Sequence, residues 1–153
     1  FIMASNESRK QSIRHKLNPI QIEFEGKDVL LVDDSIVRGN TSRQIVEMAR
    51  KAGARKVYFA SVSPPLRYPC IYGIDMSTKN EFVARHRTPE EVAESIGADG
   101  VVYQTLQNLE DSVREGNPEI RTACSACFSG NYPTGDVTEE RLARIEAERL
   151  INI

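Results

Sequence analysis

The sequence predicts an α/β fold in which a parallel sheet is flanked by helices. Three runs of β-forming residues, at 29–32, 56–63 and 101–103, are each followed along the chain by an amphipathic helical pattern. Alternation of this kind favours parallel strands joined by right-handed crossovers. The first run is wholly aliphatic, as expected for a parallel strand that is covered on both faces.

Local signals define the first two helices. Residues 42–52 carry apolar side chains at helical spacing, and Gly53 follows as a stop. Residues 88–91, Thr-Pro-Glu-Glu, form a capping box with proline at the first helical position, and Gly97 ends the helix that this box begins. We therefore expect one helix between the first two strands and another before the third strand.

Two further helices are expected in the carboxyl-terminal part of the chain. Apolar residues at helical spacing predict a helix that begins near Leu106 and stops at Gly116. Thr138 caps a last, charge-rich helix that runs to about Leu150. No internal repeat or low-complexity tract interrupts the pattern, so the chain has the organisation of a single globular domain.

The composition excludes several classes of function. The 153 residues carry a net charge of -2, which is unlike the strong basic excess of proteins that bind nucleic acids. No apolar run approaches the roughly 20 residues of a membrane span, and the amino end lacks the apolar region of a signal peptide. We therefore expect a cytoplasmic protein whose partner is a small molecule, with no nucleic-acid or membrane partner.

Two adjacent carboxylates, Asp33 and Asp34, follow the first predicted strand. In open parallel sheets, ligands bind beyond the carboxyl ends of the strands. Because neighbouring side chains of an extended segment point to opposite sides, the two carboxylates can bind two groups of one ligand, such as the vicinal hydroxyls of a ribose. The same pair suits a hard divalent cation such as Mg2+.

The turn after the carboxylates has the features of an anion site. It leads into a helix that begins near Ser42, where free backbone N–H groups and the helix dipole favour a negative charge. Gly39 permits close approach of the backbone, and Thr41 and Ser42 add hydroxyl donors. Carboxylates for a sugar and amides for a phosphate together predict a ribose-5-phosphate site. A helix cap with a solvated turn is the alternative, and spacing alone does not decide between them.

Four stretches resemble one enzyme family. The segment VLLVDDSIVRGNT, residues 29–41, resembles the phosphoribosyl pyrophosphate (PRPP) motif of type I phosphoribosyltransferases, and VDDSIVRGNTS is similar to its form in the amidophosphoribosyltransferase family. FIM followed by RKQSIRHKLNP resembles that family's mobile active-site loop. SPPLRYPCIYGID resembles the stretch after the next strand, and CSACFSGNYPTG resembles the carboxyl-terminal segment. These motifs span nearly the whole chain in the family's order.

The resemblance implies a partial type I phosphoribosyltransferase (Rossmann-like) fold with a carboxyl-terminal helix. Residues 1–153 would be the carboxyl-terminal portion of the transferase domain, without the first half of that domain or the amino-terminal glutaminase domain. Within this portion, 1–17 would be the mobile loop, 29–42 the PRPP motif, and 119–153 the carboxyl-terminal segment and helix. We accordingly expect the isolated chain to be inactive.

The resemblance also assigns roles to individual residues. It implies that Asp33 and Asp34 bind the ribose hydroxyls of PRPP and its Mg2+, and that Lys16 contacts pyrophosphate when the mobile loop closes. A solvated loop lysine is the alternative for Lys16. The 5-phosphate loop would consist of Arg38, Gly39, Asn40, Thr41 and Ser42, with Ser35 nearby.

The activity that this resemblance implies is the first committed step of de novo purine biosynthesis. PRPP, glutamine (or ammonia) and water would give 5-phosphoribosylamine, glutamate and pyrophosphate, with ammonia attacking C1 of the ribose as pyrophosphate leaves. The implied partners are PRPP, pyrophosphate, purine nucleotide inhibitors, the glutaminase domain and further copies of the chain in a homo-oligomer. Two alternatives remain: a non-catalytic regulator of the same fold that senses PRPP or purine nucleotides, and a doubly wound domain for another phosphorylated ligand.

Three cysteines form a second group of candidate site residues. Their odd number argues against a disulfide framework, and Cys124 and Cys127 have the C-x-x-C spacing that presents two thiolates to one metal. In one branch of the resembled family, cysteines in YPC and in C-x-x-CF-x-G-x-YP hold a [4Fe-4S] cluster, which implies Cys70, Cys124 and Cys127 as ligands and a fourth ligand upstream of Phe1. Free thiols and zinc are the alternatives.

Overall fold

The computed structural model describes residues 19–74 and 78–151, and in this part of the chain three parallel strands form one sheet. The strands are β1 (Asp28–Asp33), β2 (Lys56–Ser61) and β3 (Gly100–Tyr103), in the order β1-β2-β3. The register pairs Asp33 with Ser61 and Ser61 with Tyr103, so all three strands end at the same edge. The predicted parallel α/β fold is confirmed.

Six helices and one 3-10 turn accompany the sheet in the described residues. The 3-10 turn is Lys79–Glu81, and the helices are α1 (Gln21–Phe24), α2 (Asn40–Lys51), α3 (Pro89–Ile96), α4 (Leu106–Gly116), α5 (Ala126–Ser129) and α6 (Glu139–Ile151). The sequence did not predict α1, α5 or the 3-10 turn, because elements of one turn leave no helical periodicity. Helix α2 begins two residues earlier than Ser42, since Gly39 adopts a left-handed conformation with φ 77° and serves as its N-cap.

The predicted caps are present in the structure. The Thr88 hydroxyl accepts a hydrogen bond from the Glu91 N–H, and Gly97 ends α3 in a left-handed conformation. The Thr138 hydroxyl accepts the Arg141 N–H at 3.2 Å, which begins α6 where the sequence predicted its start. These caps satisfy N–H groups that a helix cannot satisfy itself, so they determine where the helices begin.

The core lies on one face of the sheet. Val57 and Phe59 of β2 are almost completely buried there against α2 and α3. The helical residues that complete this core are Val46, Ala49, Val92 and Ile96. Burial of a large apolar side chain contributes about 2 kcal/mol, so this face supplies most of the apolar stabilisation of the sheet.

The opposite face of the sheet differs from the sequence expectation. Leu30 and Val32 of β1 are 58% and 64% exposed, and Val102 of β3 is 64% exposed. Successive side chains of a strand point to opposite faces, and within the described residues α2 and α3 cover only the face that carries Phe59. The expectation that β1 is covered on both faces is therefore wrong for this part of the chain.

Candidate functional site

Strand β1 delivers two carboxylates to the edge of the sheet. The Asp33 carboxylate accepts the Asp34 N–H at 2.9 Å through Oδ1, and Oδ1 of Asp34 accepts the Ser35 hydroxyl at 2.7 Å. Among the described residues, Oδ2 of each aspartate has no hydrogen-bond donor. Asp33 is half-buried and Asp34 is exposed, so both side chains retain an oxygen that a ligand can reach.

The main chain around these carboxylates is held by the segment that follows β2. The Val62 N–H donates to the Asp33 carbonyl at 2.9 Å, and the Ser63 N–H donates to the Asp34 carbonyl at 3.0 Å. These bonds continue the parallel pairing beyond Ser61, the last residue of β2. The backbone of Asp33 and Asp34 is thereby fixed while their side chains stay available.

Helix α2 begins without a side-chain cap. Its N-cap is Gly39, whereas Thr88 and Thr105 accept hydrogen bonds from the first turns of α3 and α4 through their hydroxyls. The first helical bond of α2 joins the Arg43 N–H to the Gly39 carbonyl at 2.8 Å. The N–H groups at the start of α2 therefore have no acceptor within the helix, which makes this end suitable for an anion.

Gly39 is required by both conformation and space. Its φ of 77° lies in the left-handed region, and a Cβ atom at this position would approach Cγ2 of Ile96 to 3.2 Å and Cγ2 of Val83 to 3.3 Å. The turn is thus packed tightly against the core. The sequence predicted that glycine allows a close approach here, and the approach in the structure is that of α3 and the segment before it.

Arg38 contacts a residue that the sequence did not single out. Its Nε donates to Glu81 Oε1 at 3.0 Å and its second guanidinium nitrogen donates to Oε2 at 3.3 Å. Burial raises the pKa of Glu81, but hydrogen bonds from Arg38 and the Thr78 N–H outweigh it, so the pKa lies below its ordinary value. The pattern Thr78-x-x-Glu81 is a local capping-box signal that would have located this glutamate.

The other predicted residues of the turn differ in exposure. Ser35 and Thr41 are half-buried, Asn40 is exposed, and Ser42 is only 3% exposed. Lys16 and the predicted mobile loop lie outside the described residues. The turn from Asp33 to Ser42 therefore combines accessible carboxylates with an uncapped helix start, while Ser42 lies beneath it.

No protein-family model matches the chain. The amidophosphoribosyltransferase of Pseudomonas aeruginosa is 53% identical over 149 residues, which cover 97% of this chain and 30% of that protein. The Escherichia coli amidophosphoribosyltransferase is 49% identical over 149 residues, which again cover 97% of this chain and 30% of that protein. The chain is therefore homologous to part of the amidophosphoribosyltransferases. The family resemblance drawn from the sequence is confirmed, and the chain spans about 30% of the length of the curated relatives it matches.

Solved structures give the same result for the fold of this amidophosphoribosyltransferase homologue. The glutamine PRPP amidotransferase of Bacillus subtilis, complexed with ADP and GMP, matches with a TM-score of 0.70 and 40% identity over 93% of this chain and 32% of that one. A structure described as the allosteric regulatory enzyme of purine biosynthesis matches with a TM-score of 0.73 and 39% identity, covering 95% of this chain and 32% of that one. The type I phosphoribosyltransferase fold is confirmed.

The carboxylates of this homologue have the donor chemistry that Mg2+ requires. Asp33 and Asp34 offer hard oxygen atoms, and Mg2+ commonly binds one or two carboxylates together with substrate phosphates and water. Among the described residues, no group of three or more His, Cys, Asp or Glu side chains is arranged to hold a metal ion. The two aspartates therefore fit a Mg2+ ion that takes its other ligands from substrate and solvent.

The cysteines lie in a separate region, where the carboxyl-terminal segment packs on the loop after β2. Cys70 is buried, Cys127 is half-buried and Cys124 is exposed. Burial raises the pKa of the Cys127 thiol, and the nearby thiolate charges of Cys70 and Cys124 raise it further. The Cys127 thiol is thus within electrostatic range of the other two cysteines, and thiolates are the ligands of iron–sulfur clusters and zinc. Their donor chemistry fits a cluster, although within 19–74 and 78–151 they do not converge as a metal-binding group.

No helix in 19–74 or 78–151 combines the length and the apolar character that crossing a membrane would require.

Proposed function

We propose that this chain supplies the PRPP-binding part of an amidophosphoribosyltransferase. The complete enzyme would convert PRPP, glutamine and water to 5-phosphoribosylamine, glutamate and pyrophosphate. Ammonia would displace pyrophosphate at C1, forming a C–N bond as the C–O bond breaks. We further propose that the chain is inactive without the rest of such an enzyme. The support is that it matches only 30% of the length of its relatives.

Each part of the turn has a role in this proposal. The free oxygens of Asp33 and Asp34 accept hydrogen bonds from the ribose hydroxyls, and the N–H groups of Asn40, Thr41 and Ser42 donate to the 5-phosphate. Asp33 and Asp34 would hold Mg2+, which would supply positive charge to offset the charge that develops on the leaving group. Lys16 would add a cation to the pyrophosphate when its loop closes.

One observation carries the proposal. An uncapped helix start and two carboxylates with unbonded oxygens lie together at the carboxyl edge of a parallel sheet, in a chain about half identical to amidophosphoribosyltransferases. A solvated turn does not require both features. The uncapped amides of α2 favour a phosphate over a purely structural role, because the other described helices longer than one turn, α3, α4 and α6, each begin with a threonine hydroxyl that accepts an N–H.

The experiment is PRPP binding by calorimetry in the complete protein, with and without Mg2+. We expect Asp34→Asn to weaken Mg2+-dependent binding on the order of 100-fold, because a charged acceptor of hydroxyls and cation is lost. Asp28→Asn is the matched control: Asp28 lies at the opposite end of β1, where it pairs with Arg55 at 2.7 Å. Its substitution should leave PRPP binding unchanged. Equal effects of the two substitutions, or binding that ignores Mg2+, would contradict the proposal.

We further propose that purine nucleotides regulate the complete enzyme. Support comes from the Bacillus subtilis structure, which contains ADP and GMP, and from the second matched structure, described as an allosteric regulatory enzyme. Addition of GMP and ADP should lower the rate of pyrophosphate release. Tight nucleotide binding by a complete protein that never releases pyrophosphate would instead favour the non-catalytic regulator.

The cysteines support a separate proposal. We propose that Cys70, Cys124 and Cys127 hold a [4Fe-4S] cluster together with a fourth ligand elsewhere in the protein, and that the cluster fastens the carboxyl-terminal segment to the body. Complete protein purified without oxygen should contain iron and show broad visible absorption. A colourless, iron-free preparation would reject the cluster in favour of thiols or zinc.

The remaining partners are inferred from the family. We propose a glutaminase domain as the source of ammonia, assembly into a homo-oligomer and a cytoplasmic location. Glutamine-dependent pyrophosphate release, and a mass in solution that is a multiple of the polypeptide mass, would test the first two. Fractionation of cells would test the third.

A further inference from the structure

The segment from Thr78 to Val83 supports the turn that contains Arg38. The Val83 N–H donates to the Val37 carbonyl at 2.9 Å, and the Val83 side chain occupies the space beside Gly39. Between these contacts, Glu81 forms its two-point ion pair with Arg38. The segment therefore contacts three successive residues of the turn, Val37, Arg38 and Gly39. Glu81 lies 43 residues after Arg38 in the sequence.

The pair between Arg38 and Glu81 uses only one edge of the guanidinium group. Nε and one terminal nitrogen donate to the carboxylate, at 3.0 and 3.3 Å. A guanidinium carries five N–H donors in a rigid plane, so three donors remain for another acceptor. The Arg38 side chain is 34% exposed, which leaves those donors accessible to a ligand at the start of α2.

Glu81 is itself held in place by contacts within the 3-10 turn. Its Oε2 accepts the Thr78 N–H at 3.1 Å, which is one half of the capping box of the 3-10 turn, and it also accepts the Thr78 hydroxyl at 3.3 Å. The turn is joined to α6 through Lys79, whose N–H donates to Glu146 at 2.7 Å and whose Nζ donates to Glu139 at 2.8 Å. The Thr78 contacts fix the Glu81 carboxylate, to which a long arginine side chain is attached, whereas the Lys79 contacts fasten only the body of the turn to α6.

We propose that Glu81 is a positioning residue for phosphate binding: its carboxylate orients Arg38 so that the unused guanidinium donors face the 5-phosphate at the start of α2. This inference rests on the proposed function. Glu81 does not touch the ligand in this arrangement. It restricts a flexible arginine to one orientation, so that less conformational entropy is lost when the phosphate binds.

If Glu81 had the opposite role, competition with phosphate for Arg38, its substitution would change the affinity in the opposite direction. If Glu81 instead competed with phosphate for Arg38, removal of its charge would release the arginine and tighten binding. If Glu81 orients Arg38, the same substitution weakens binding and acts only while Arg38 is present. The sign of the change and its dependence on Arg38 therefore separate the two roles.

The experiment compares Glu81→Gln, Arg38→Gln and the double variant in the complete protein. We expect Glu81→Gln to raise the Kd for PRPP and the KM for PRPP by roughly tenfold, with kcat nearly unchanged, as is typical for loss of a contact that orients a ligand-binding group. Glu81→Asp, which keeps the charge at a shorter reach, should fall between the wild type and Glu81→Gln. In the Arg38→Gln background, Glu81→Gln should cause no further loss.

Glu139→Gln is the matched control. It removes a carboxylate that contacts Lys79 of the same 3-10 turn, but it lies at the start of α6 and has no contact with Arg38. Its Kd for PRPP should equal that of the wild type. Thermal unfolding of every variant separates a general loss of stability from a loss of orientation.

Specific results would overturn the inference. A Kd in Glu81→Gln that is unchanged or tighter would do so, as would a full further loss in the Arg38→Gln background. Equal weakening by Glu139→Gln would show that the 3-10 turn acts only through stability. Absence of PRPP binding by the wild-type protein would overturn the proposed function and this inference together, whereas normal wild-type binding with an unaffected Glu81→Gln would overturn the inference alone. If Glu81→Gln fails to fold, Glu81→Asp must weaken binding or the inference is wrong.

Discussion

Two loops leave the same edge of the sheet, yet they differ in what covers them. The turn after β1, residues 34–39, leaves Asp34 exposed and the start of α2 uncapped. The loop after β2, residues 62–74, buries Pro64, Pro69 and Cys70. Adjacent strands therefore present one loop whose polar groups are accessible, although it buries Ile36, and one covered loop, whose buried residues are Pro64, Leu66, Pro69 and Cys70.

The covered loop is held by the carboxyl-terminal segment. The Cys127 carbonyl accepts the N–H groups of Arg67 and Tyr68, both at 3.0 Å. The Tyr132 hydroxyl donates to the Pro69 carbonyl at 2.7 Å, and its ring lies 6.2 Å from that of Tyr72. The segment thus satisfies carbonyl and amide groups that an uncovered loop would expose to water.

The difference between the two loops predicts that one determines ligand affinity and the other determines stability. In the first loop, polar groups keep free oxygens and amides, so we expect substitutions there to change ligand affinity. In the second loop, polar groups are satisfied within the protein, so we expect substitutions there to change the free energy of unfolding. Substitutions at Gly130, Gly39 and Tyr132 test this division, and a substitution at Tyr103, outside both loops, gives a reference for a small effect.

The largest effect is expected for Gly130→Ala in the covering segment. Gly130 has φ 77°, and a Cβ atom there would lie 2.9 Å from Cζ of Tyr68, so the ring must move. We expect a loss of about 3 kcal/mol in the free energy of unfolding, measured by urea denaturation. Gly135→Ala is the control, because Gly135 has φ 71° with no atom within 4 Å of an added Cβ, and it should lose only about 1 kcal/mol. The folded Gly130→Ala variant should bind PRPP with wild-type affinity. A large loss of affinity would show that the covered loop also contributes to binding and would contradict the division.

A smaller loss of stability but a change in binding is expected for Gly39→Ala. Gly39 has the same φ of 77°, but its nearest contacts for a Cβ are the more adaptable methyl groups of Ile96 and Val83 at 3.2 and 3.3 Å. We expect about 2 kcal/mol of destabilisation and roughly tenfold weaker PRPP binding, because the start of α2 is displaced. Calorimetry and urea denaturation measure the two effects. Unchanged affinity together with reduced stability would place Gly39 with the covered loop instead.

Tyr132→Phe should cost about 1 kcal/mol at neutral pH, since the Pro69 carbonyl loses its donor. Burial, followed by the charges of Cys70 and Glu139, raises the pKa of Tyr132 to about 12, above its ordinary 10.0. A raised pKa contributes stability that is present below pH 10 and is lost as the pH rises towards 12. The gap between wild type and variant should therefore narrow above pH 10 in unfolding measurements. A gap that stays constant up to pH 12 would contradict this linkage.

The smallest effect at neutral pH is expected for Tyr103→Phe at the end of β3. The Tyr103 hydroxyl is buried without a hydrogen-bond partner among the described residues, and burial raises its pKa to about 12. We expect a change within about 0.5 kcal/mol at pH 7, because no hydrogen bond is lost. Between pH 10 and 12 the wild type should lose stability relative to the variant, which cannot ionise. A clear loss at pH 7 would reveal a partner for this hydroxyl.

Local chemistry determined much of this protein from sequence alone. Helix α3 was predicted to within a residue, because Thr88, Glu91 and Gly97 act on backbone groups no more than four positions away. Asp33 and Asp34 were predicted at the end of a parallel strand for the same reason. The aliphatic run before them and the glycine-containing turn after them are patterns of residues close together in sequence. Elements of this kind depend on short-range hydrogen bonds and side-chain spacing.

Only the tertiary structure decided which distant groups meet. No periodicity in the sequence joins Glu81 to Arg38, brings Cys127 against the loop that contains Cys70, or leaves Leu30 and Val32 exposed while Phe59 is buried. Those outcomes depend on which helix packs on which face of the sheet and on where each loop returns. Contacts between residues far apart in sequence form only when the chain folds, because the free energy that selects them comes from burial of the whole core.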